Sequence, residues 1–231
     1  MKRVTLFILV ISICSLDLKS QNLISNSGFE NIDINNNVTG WTNIKYNNPE
    51  LIKEDSIQPA YKGNKSLGIF LTDLFENNTD RRSFLQTKLS KPLEKGKYYR
   101  FKIYCKLSEF STHSSRSISA NFTNEMISES NLNSYFGNNS SIDFGVAIGS
   151  QYYNNRELKN KSALKVWTKS NTVIIDQIYE AKGGEQYLTI GNFYESKYFY
   201  VYHLFNYGLS ENTYSYYLLD EVSLTEIKLK K

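Results

Sequence analysis

The segment Tyr98–Leu107, YYRFKIYCKL, decides the fold class because its side chains alternate between an apolar and a more polar set. A strict period of two is the pattern of a β-strand that turns one face to a core. The inward set is Tyr99, Phe101, Ile103, Cys105 and Leu107, and the outward set is Tyr98, Arg100, Lys102, Tyr104 and Lys106. We therefore expect Cys105 to be a small core side chain and not a reactive thiol.

Shorter segments with the same period lie on both sides of this strand. They predict strands at 67–71, 84–89, 118–122, 167–175, 178–181, 187–191 and 216–225, with a further candidate at 142–148. Tight-turn signals separate several of them, Lys95-Gly96 and Gly183-Gly184 being the clearest. Many short strands with turns at moderate spacing favour an all-β sandwich or jelly roll, and no segment keeps a helical period for long.

The first residues have the layout of a secretory signal. Lys2 and Arg3 precede an apolar run at 5–16 that is too short to span a bilayer, and small Ser20 precedes Gln21. We expect a signal peptide at 1–20 and an exported mature domain at 21–231. The alternative makes Cys14 the acylated cysteine of a lipoprotein. No second long apolar run occurs, so no membrane span is predicted.

Composition limits the partners and the cross-links of the mature domain. Of the 2 cysteines, only Cys105 lies after the predicted signal, so no disulfide within the chain is expected. The net charge of the whole chain is +4, and basic residues are interleaved with acidic ones, which argues against a nucleic-acid partner. The chain carries 18 Tyr and 13 Phe, more rings than a core pattern requires.

Several motifs resemble known carbohydrate-binding modules with a jelly-roll, galactose-binding-like fold. The opening NLISNSGFE at 22–30, followed by Gly40-Trp41 and the turn YKGNKSL at 61–67, is similar to theirs. The segments 84–86, 93–99, 107–111, 181–193 and 219–223 resemble such domains of secreted and outer-membrane Bacteroidota proteins, often fused to an OmpA-like domain. The resemblance implies one all-β jelly-roll β-sandwich over 21–231, exported and either secreted or located at the outer-membrane surface or in the periplasm.

Similar jelly rolls hold a structural Ca²⁺ between their first and last strands. Carried over to this chain, the ligand set is Glu30, Asn64, Ser66 and Asp220. By parity Asp220 shares the inward face with Leu218, Val222 and Leu224, and an inward carboxylate needs a counter-charge or several donors. Oxygen-only ligation suits Ca²⁺. In the alternative, Asp220 accepts backbone N–H bonds at a strand end and binds no metal.

Two aromatic groups are candidate sugar sites. Tyr98, Arg100 and Tyr104 combine rings and a planar hydrogen-bonding group on the outward face of one strand, although cross-strand pairing on a solvated face explains them equally. The second group lies in the aromatic-rich segment 195–215 and includes Tyr198 and Tyr200. These rings either line a groove or cap the open end of the core.

The sequence contains no recognisable catalytic motif, and this favours a binding function. The 2 histidines, His113 in a serine-rich turn and His203, lie in no hydrolase or metalloprotease motif. We therefore predict that the protein is not an enzyme and is an exported carbohydrate-binding module for a polysaccharide or cell-surface glycan at the bacterial surface. The alternative is a protein-interaction or adhesion module that docks to an envelope protein and has no sugar ligand.

Overall fold

The computed structural model describes residues 20–35, 37–47, 57–58, 61–75, 79–108, 111–115, 118–137, 142–143, 172–195, 201–203 and 213–229. The strands are β1 (Trp41–Tyr46), β2 (Ile57–Gln58), β3 (Ser66–Phe75), β4 (Thr79–Lys88), β5 (Tyr98–Leu107), β6 (His113–Ser115), β7 (Ser119–Thr123), β8 (Ile142–Asp143), β9 (Val173–Glu180), β10 (Tyr187–Gly191), β11 (Val201–His203) and β12 (Thr213–Ile227), with a 3-10 helix at Leu132–Tyr135. Apart from Ser20, the predicted signal peptide lies outside these residues. Within the described ranges, no helix combines the length and apolarity that a membrane crossing requires.

The strands pair as one long antiparallel hairpin would if it were rolled into a barrel-like sandwich. β3 pairs with β12, β4 with β10, β5 with β9, and β7 with β8. The front sheet therefore has the order β2-β3-β12-β5-β9 and the back sheet the order β8-β7-β10-β4-β1, and the tips of β3 and β4 connect them. This nested pairing is the jelly-roll topology, so the predicted fold class is confirmed.

The core lies between the two sheets and follows the predicted alternation of β5. All five inward side chains of β5 are fully buried, while Arg100 on the other face is exposed. Phe101 meets Phe122 of the back sheet edge-on, with ring centroids 6.3 Å apart. Burial raises the pKa of the Cys105 thiol to about 12, so the residue stays a neutral thiol. The prediction that Cys105 is a core residue is confirmed.

A β-bulge in β12 reverses the alternation of that strand. Asp220 pairs with Tyr104, but Ser223 pairs with Lys102, so β12 contains one extra residue at this point. Glu221 has a φ of 47°, the left-handed conformation that such an insertion uses. Leu219 before the bulge and Val222 after it both reach the core. Asp220 consequently lies on the outer face with Tyr104, and the prediction that it shares the inward face with Val222 is wrong.

Other predicted strands differ from the structure at their ends. Residues 173–180 form the single strand β9, where the sequence pattern suggested a break after 175, and the predicted start at 167–171 lies outside the described residues. β12 begins three residues before its predicted start at Tyr216. The assignment of His113 to a serine-rich turn is wrong, because His113 is buried in the strand β6.

Candidate functional site

The outward residues Tyr98 and Arg100 of β5 pair with the neighbouring strand β9. The Arg100 guanidinium donates to both carboxylate oxygens of Asp176, at 2.7 and 2.6 Å, and Lys102 lies 3.4 Å from the same carboxylate. The Arg100 hydrogen bonds lower the pKa of Asp176. A hydrogen bond to Glu180 and its charge raise the pKa of Tyr98. These two predicted ligand residues therefore take part in cross-strand pairs on a solvated face, as the alternative interpretation stated.

Tyr104, the third predicted residue of this strand, has a different environment. Its ring stacks on the ring of Tyr61, with centroids 4.2 Å apart and planes inclined by 24°. Burial, followed by the interaction with Tyr61, raises the pKa of Tyr104. Tyr61 is 55% exposed, so this ring presents a large aromatic surface to solvent.

A cavity of about 280 Å³ opens beside these two rings on the outer face of the front sheet. Its walls come from three strands, the turn before β3 and the residue before β9. The lining residues are Tyr61, Ser66, Tyr104, Lys106, Thr172, Leu218 and Asp220. An aromatic pair, an apolar side chain, two hydroxyls, an ammonium group and a carboxylate thus meet in one concave place. Tyr104, Ser66 and Asp220 are the sequence-predicted residues that the structure brings together here.

The turn that carries Tyr61 is fixed by two carboxylates. Asp220 Oδ2 accepts the Lys62 N–H at 2.9 Å, and Glu30 Oε1 accepts the N–H groups of Asn64 at 2.7 Å and Lys65 at 3.2 Å. Gly63 has a φ of 76°, and a Cβ there would overlap Glu30 Oε1. The turn therefore requires glycine at this position, both for its backbone conformation and for the close approach of Glu30.

Asp220 is a buried carboxylate with several hydrogen-bond donors. It is 2% exposed, and its Oδ1 accepts the N–H of Glu221 at 2.7 Å. Burial raises its pKa, and the N–H groups of Lys62, Glu221 and Tyr61 act in the opposite direction. A carboxylate offers about four acceptor sites, so these three donors leave capacity for one more beside the cavity.

The predicted calcium ligands lie at the same junction, where the Glu30 and Asp220 carboxylates accept N–H groups of the turn. Calcium takes six to eight oxygen ligands, whereas the turn presents N–H groups to Glu30 and Asp220. The Lys65 ammonium donates to the Glu30 carbonyl at 2.9 Å, and the Lys62 ammonium lies 3.3 Å from Glu221. Within the described ranges, no group of three or more His, Cys, Asp or Glu side chains is placed to hold a metal ion. Calcium binding stays a prediction, with its test given in the Discussion.

The corresponding outer face of the back sheet is covered by the segment 124–137. The side-chain amide of Gln86 donates to the Ile127 carbonyl at 3.0 Å and accepts the Ile127 N–H at 2.8 Å. Ile127 and Leu132 pack against Phe84 and Phe193. These rings of the back sheet are therefore engaged within the protein, whereas the stacked pair with the exposed Tyr61 ring lies on the front sheet.

Sequence patterns identified only part of the cavity. Lys106 follows Tyr104 by two residues on the same face of β5, so strand parity could have indicated it. Tyr61 and Thr172 come from distant segments, and no local pattern places them beside Tyr104. Tyr198 and Tyr200, the remaining predicted ligand residues, lie outside the described residues.

Comparison with known proteins gives distant structural likenesses. No protein-family model and no curated protein matches the chain. The CBM22-1 xylan-binding domain of Paenibacillus barcinonensis Xyn10C is 15% identical, with coverage of 91% of this chain and 97% of that domain and a TM-score of 0.44. The K3 cleaved adhesin domain of Lys-gingipain from Porphyromonas gingivalis is 12% identical, with coverage of 89% and 98% and a TM-score of 0.42.

A third likeness is to the N-terminal cellulose-binding domain of Cellulomonas fimi β-1,4-glucanase C. It is 10% identical, with coverage of 82% of this chain and 91% of that domain and a TM-score of 0.37. At such identities a likeness concerns the fold alone. The ligands of these domains are therefore not transferred to this chain.

Proposed function

We propose that the protein is a non-catalytic carbohydrate-binding module of the bacterial cell surface and that the cavity beside Tyr61 and Tyr104 is its ligand site. One observation carries this proposal: the cavity joins a stacked aromatic pair, of which Tyr61 is exposed, to buried polar groups at one place on the sheet. Small-ligand sites typically have this composition, with apolar and aromatic walls and a few placed polar groups.

The chemistry of the lining suits a sugar. An aromatic ring can pack on the apolar C–H face of a pyranose, and Tyr61 is exposed enough to do so. Hydroxyl groups of a sugar both donate and accept, and the lining offers the Asp220 carboxylate as an acceptor and the Lys106 ammonium as a donor. Binding would then use stacking and hydrogen bonds, with no covalent step.

The proposed absence of catalysis follows from the same lining. Glycoside hydrolysis commonly uses a pair of carboxyl groups on opposite sides of the scissile bond. The described lining contains one carboxylate, Asp220, which already accepts several backbone N–H bonds. Its role is to hold the turn and to accept a ligand hydroxyl.

The proposed location follows from the N-terminal sequence. The predicted signal at 1–20 would direct the mature domain across the inner membrane, to be secreted or kept at the outer-membrane surface or in the periplasm. The partner would be a polysaccharide or a surface glycan. Fractionation of cells that express the full chain tests this, because a cytoplasmic, unprocessed protein would contradict export.

A glycan array with the purified mature domain tests the proposed function. We expect binding to a restricted set of glycans and at least a tenfold weaker Kd after Tyr61→Ala, which corresponds to about 1.4 kcal/mol. Tyr187→Ala removes a half-exposed ring on the back sheet and is the matched control, so it should leave binding unchanged. A folded protein that binds none of the glycans would refute the proposal.

One observation favours a protein-interaction or adhesion module as the second candidate. Ile174 and Ile178 on β9 are 48% and 55% exposed, and they flank the Asp176 ion pairs on the solvated sheet face. Exposed apolar side chains beside charged ones are common at protein interfaces. Self-association or capture of an envelope protein that Ile178→Lys abolishes, in a protein indifferent to sugars, would favour this candidate.

A further inference from the structure

We propose that the cavity receives a single terminal sugar unit of a glycan and does not accommodate an internal stretch of the chain. This inference rests on the proposed function and adds the part of the glycan that is recognised. It follows from the size of the cavity, from the residues that close it, and from the number of polar groups inside it.

The size of the cavity argues against a long bound segment of glycan. Sites for drug-sized ligands generally have volumes of roughly 300–1,000 Å³. At about 280 Å³ the cavity lies just below that range. A site for several consecutive sugar units would require a longer groove along the sheet.

One side of the cavity is closed by the turn that bears Tyr61. Glu30 and Asp220 hold this turn through backbone N–H groups, so the wall is fixed to both the first residues of the domain and its last strand. The lysine side chains of the turn strengthen the attachment, since the Lys65 ammonium donates to the Glu30 carbonyl at 2.9 Å. A glycan chain cannot continue through this wall unless the turn is released.

A second side is filled by an apolar cluster. Leu218, which lines the cavity, packs with Phe70 and Tyr216 on the outer face of the front sheet. The Tyr216 ring lies over Gly68, so closely that a Cβ at Gly68 would overlap its hydroxyl oxygen. This packing uses the space through which a chain could otherwise extend across β3.

Along β5 the path is occupied by charged pairs. Lys102 is the next outward residue after Tyr104, and it shares the Asp176 carboxylate with Arg100. The ion pairs join β5 to β9 at the pair Lys102–Asp176, which lies two residues along β5 from the cavity residue Tyr104. With the turn and the apolar cluster, they border the cavity on three sides within the described residues.

The polar groups of the lining suit the hydroxyls of a chain end. Ser66 and Asp220 are both almost fully buried, whereas Thr172 and Lys106 are half-buried. A terminal unit carries a free hydroxyl where an internal unit carries a glycosidic bond. The spare acceptor capacity of Asp220 favours a ligand that donates such a hydroxyl.

The test measures affinity against chain length and end modification by isothermal titration calorimetry. The probes are the α-1,4-glucan, β-1,4-glucan, β-1,4-xylan and chitin ladders of one to six units, each also with the non-reducing end methylated and with the reducing end reduced. We expect the oligosaccharides of one ladder to bind, with Kd values that agree within about twofold for chains of two to six units. Modification of one end of these oligosaccharides should weaken their affinity at least tenfold.

Two results would overturn the inference in distinguishable ways. If affinity rises steadily with each added unit and both modified ends bind equally well, the site takes internal units, and only the terminal-unit inference fails. If no ladder binds and the glycan array is also negative, the proposed function fails together with it.

Variants locate the measured binding in the pocket. Tyr61→Ala and Lys106→Met should each weaken the best ligand at least tenfold, while Tyr187→Ala should match the wild type. Circular dichroism melting of each variant establishes that it is folded. Equal affinities in both pocket variants and the wild type would place the glycan elsewhere and overturn the inference.

Discussion

Replacement of Glu30 by alanine tests whether amide hydrogen bonds hold the turn that forms the cavity wall. The Glu30 carboxylate accepts the Asn64 N–H at 2.7 Å and the Lys65 N–H at 3.2 Å. A hydrogen bond to a charged group contributes about 1.5–3 kcal/mol. Water can reach the exposed Asn64 amide and replace part of the loss, so we expect the free energy of unfolding to fall by about 2 kcal/mol in total.

Thermal and urea unfolding of the mature domain measure this loss. For a domain of this size, 1 kcal/mol shifts Tm by about 2–4 °C, so we expect a decrease of about 4–8 °C. Glu30→Gln keeps an acceptor oxygen and should lose roughly half as much. Glu129→Ala, at an exposed position, is the control and should stay within about 0.5 kcal/mol of the wild type. A Glu30→Ala variant as stable as that control would refute the reasoning.

The same melting curves decide the calcium prediction. An ion that binds only the folded state raises Tm by mass action. The calcium prediction requires that excess EGTA lowers the Tm of the wild type and that added CaCl₂ restores it. A rise of Tm in CaCl₂ that disappears in Asp220→Ala would establish the ion at this junction, and coincident wild-type curves would contradict the prediction.

Three further predictions concern stability and accessibility. Burial raises the pKa of Glu185, but hydrogen bonds from Tyr179 and the turn amides outweigh this effect and lower the pKa below 4.5. The stability that these hydrogen bonds contribute is therefore present above pH 4.5 and is lost as the pH falls through the folded pKa. Glu185→Gln should flatten that loss in urea titrations between pH 3 and 6. Cys105 is buried with its pKa raised to about 12, so an aromatic disulfide reagent should label the mature domain only after denaturation, and rapid labelling of the native protein would contradict the core assignment. Gly63→Ala should cost at least about 1–3 kcal/mol because of its positive φ and should also weaken glycan binding, whereas the control Gly96→Ala, which has the same backbone conformation and open space around it, should cost stability alone.

Strand alternation predicted the centre of the fold because it is a local property. Both faces of β5 were assigned correctly from period two, since each side chain of this strand is decided by its immediate neighbours. The strand β6 was not predicted, because its residues His113–Ser115 are polar although all three are buried. Their burial comes from packing beside β12, and the sequence pattern of a three-residue polar strand carries no sign of it.

The cavity was only partly predictable because it depends on contacts between distant segments. Tyr98, Arg100 and Tyr104 have the same pattern, yet a carboxylate from β9 engages Arg100 and a ring from another segment covers Tyr104. Which of these outward residues belongs to a site is decided by the strand register and by the position of the turn. Neither is visible in the alternation of one strand.

The bulge at Glu221 connects the fold to the proposed function. Without the extra residue, either Asp220 or Val222 would lie on the opposite face, because strand side chains alternate strictly. With it, Asp220 stays outward, closes the bulge through the Glu221 N–H, holds the Tyr61 turn through the Lys62 N–H, and still lines the cavity. A substitution at Asp220 must therefore change stability and binding together. The Tyr61 ring contacts the sheet by stacking on Tyr104 and not through a buried carboxylate, so Tyr61→Ala should cost less stability than a substitution at Asp220 and is the variant at which the two effects separate best.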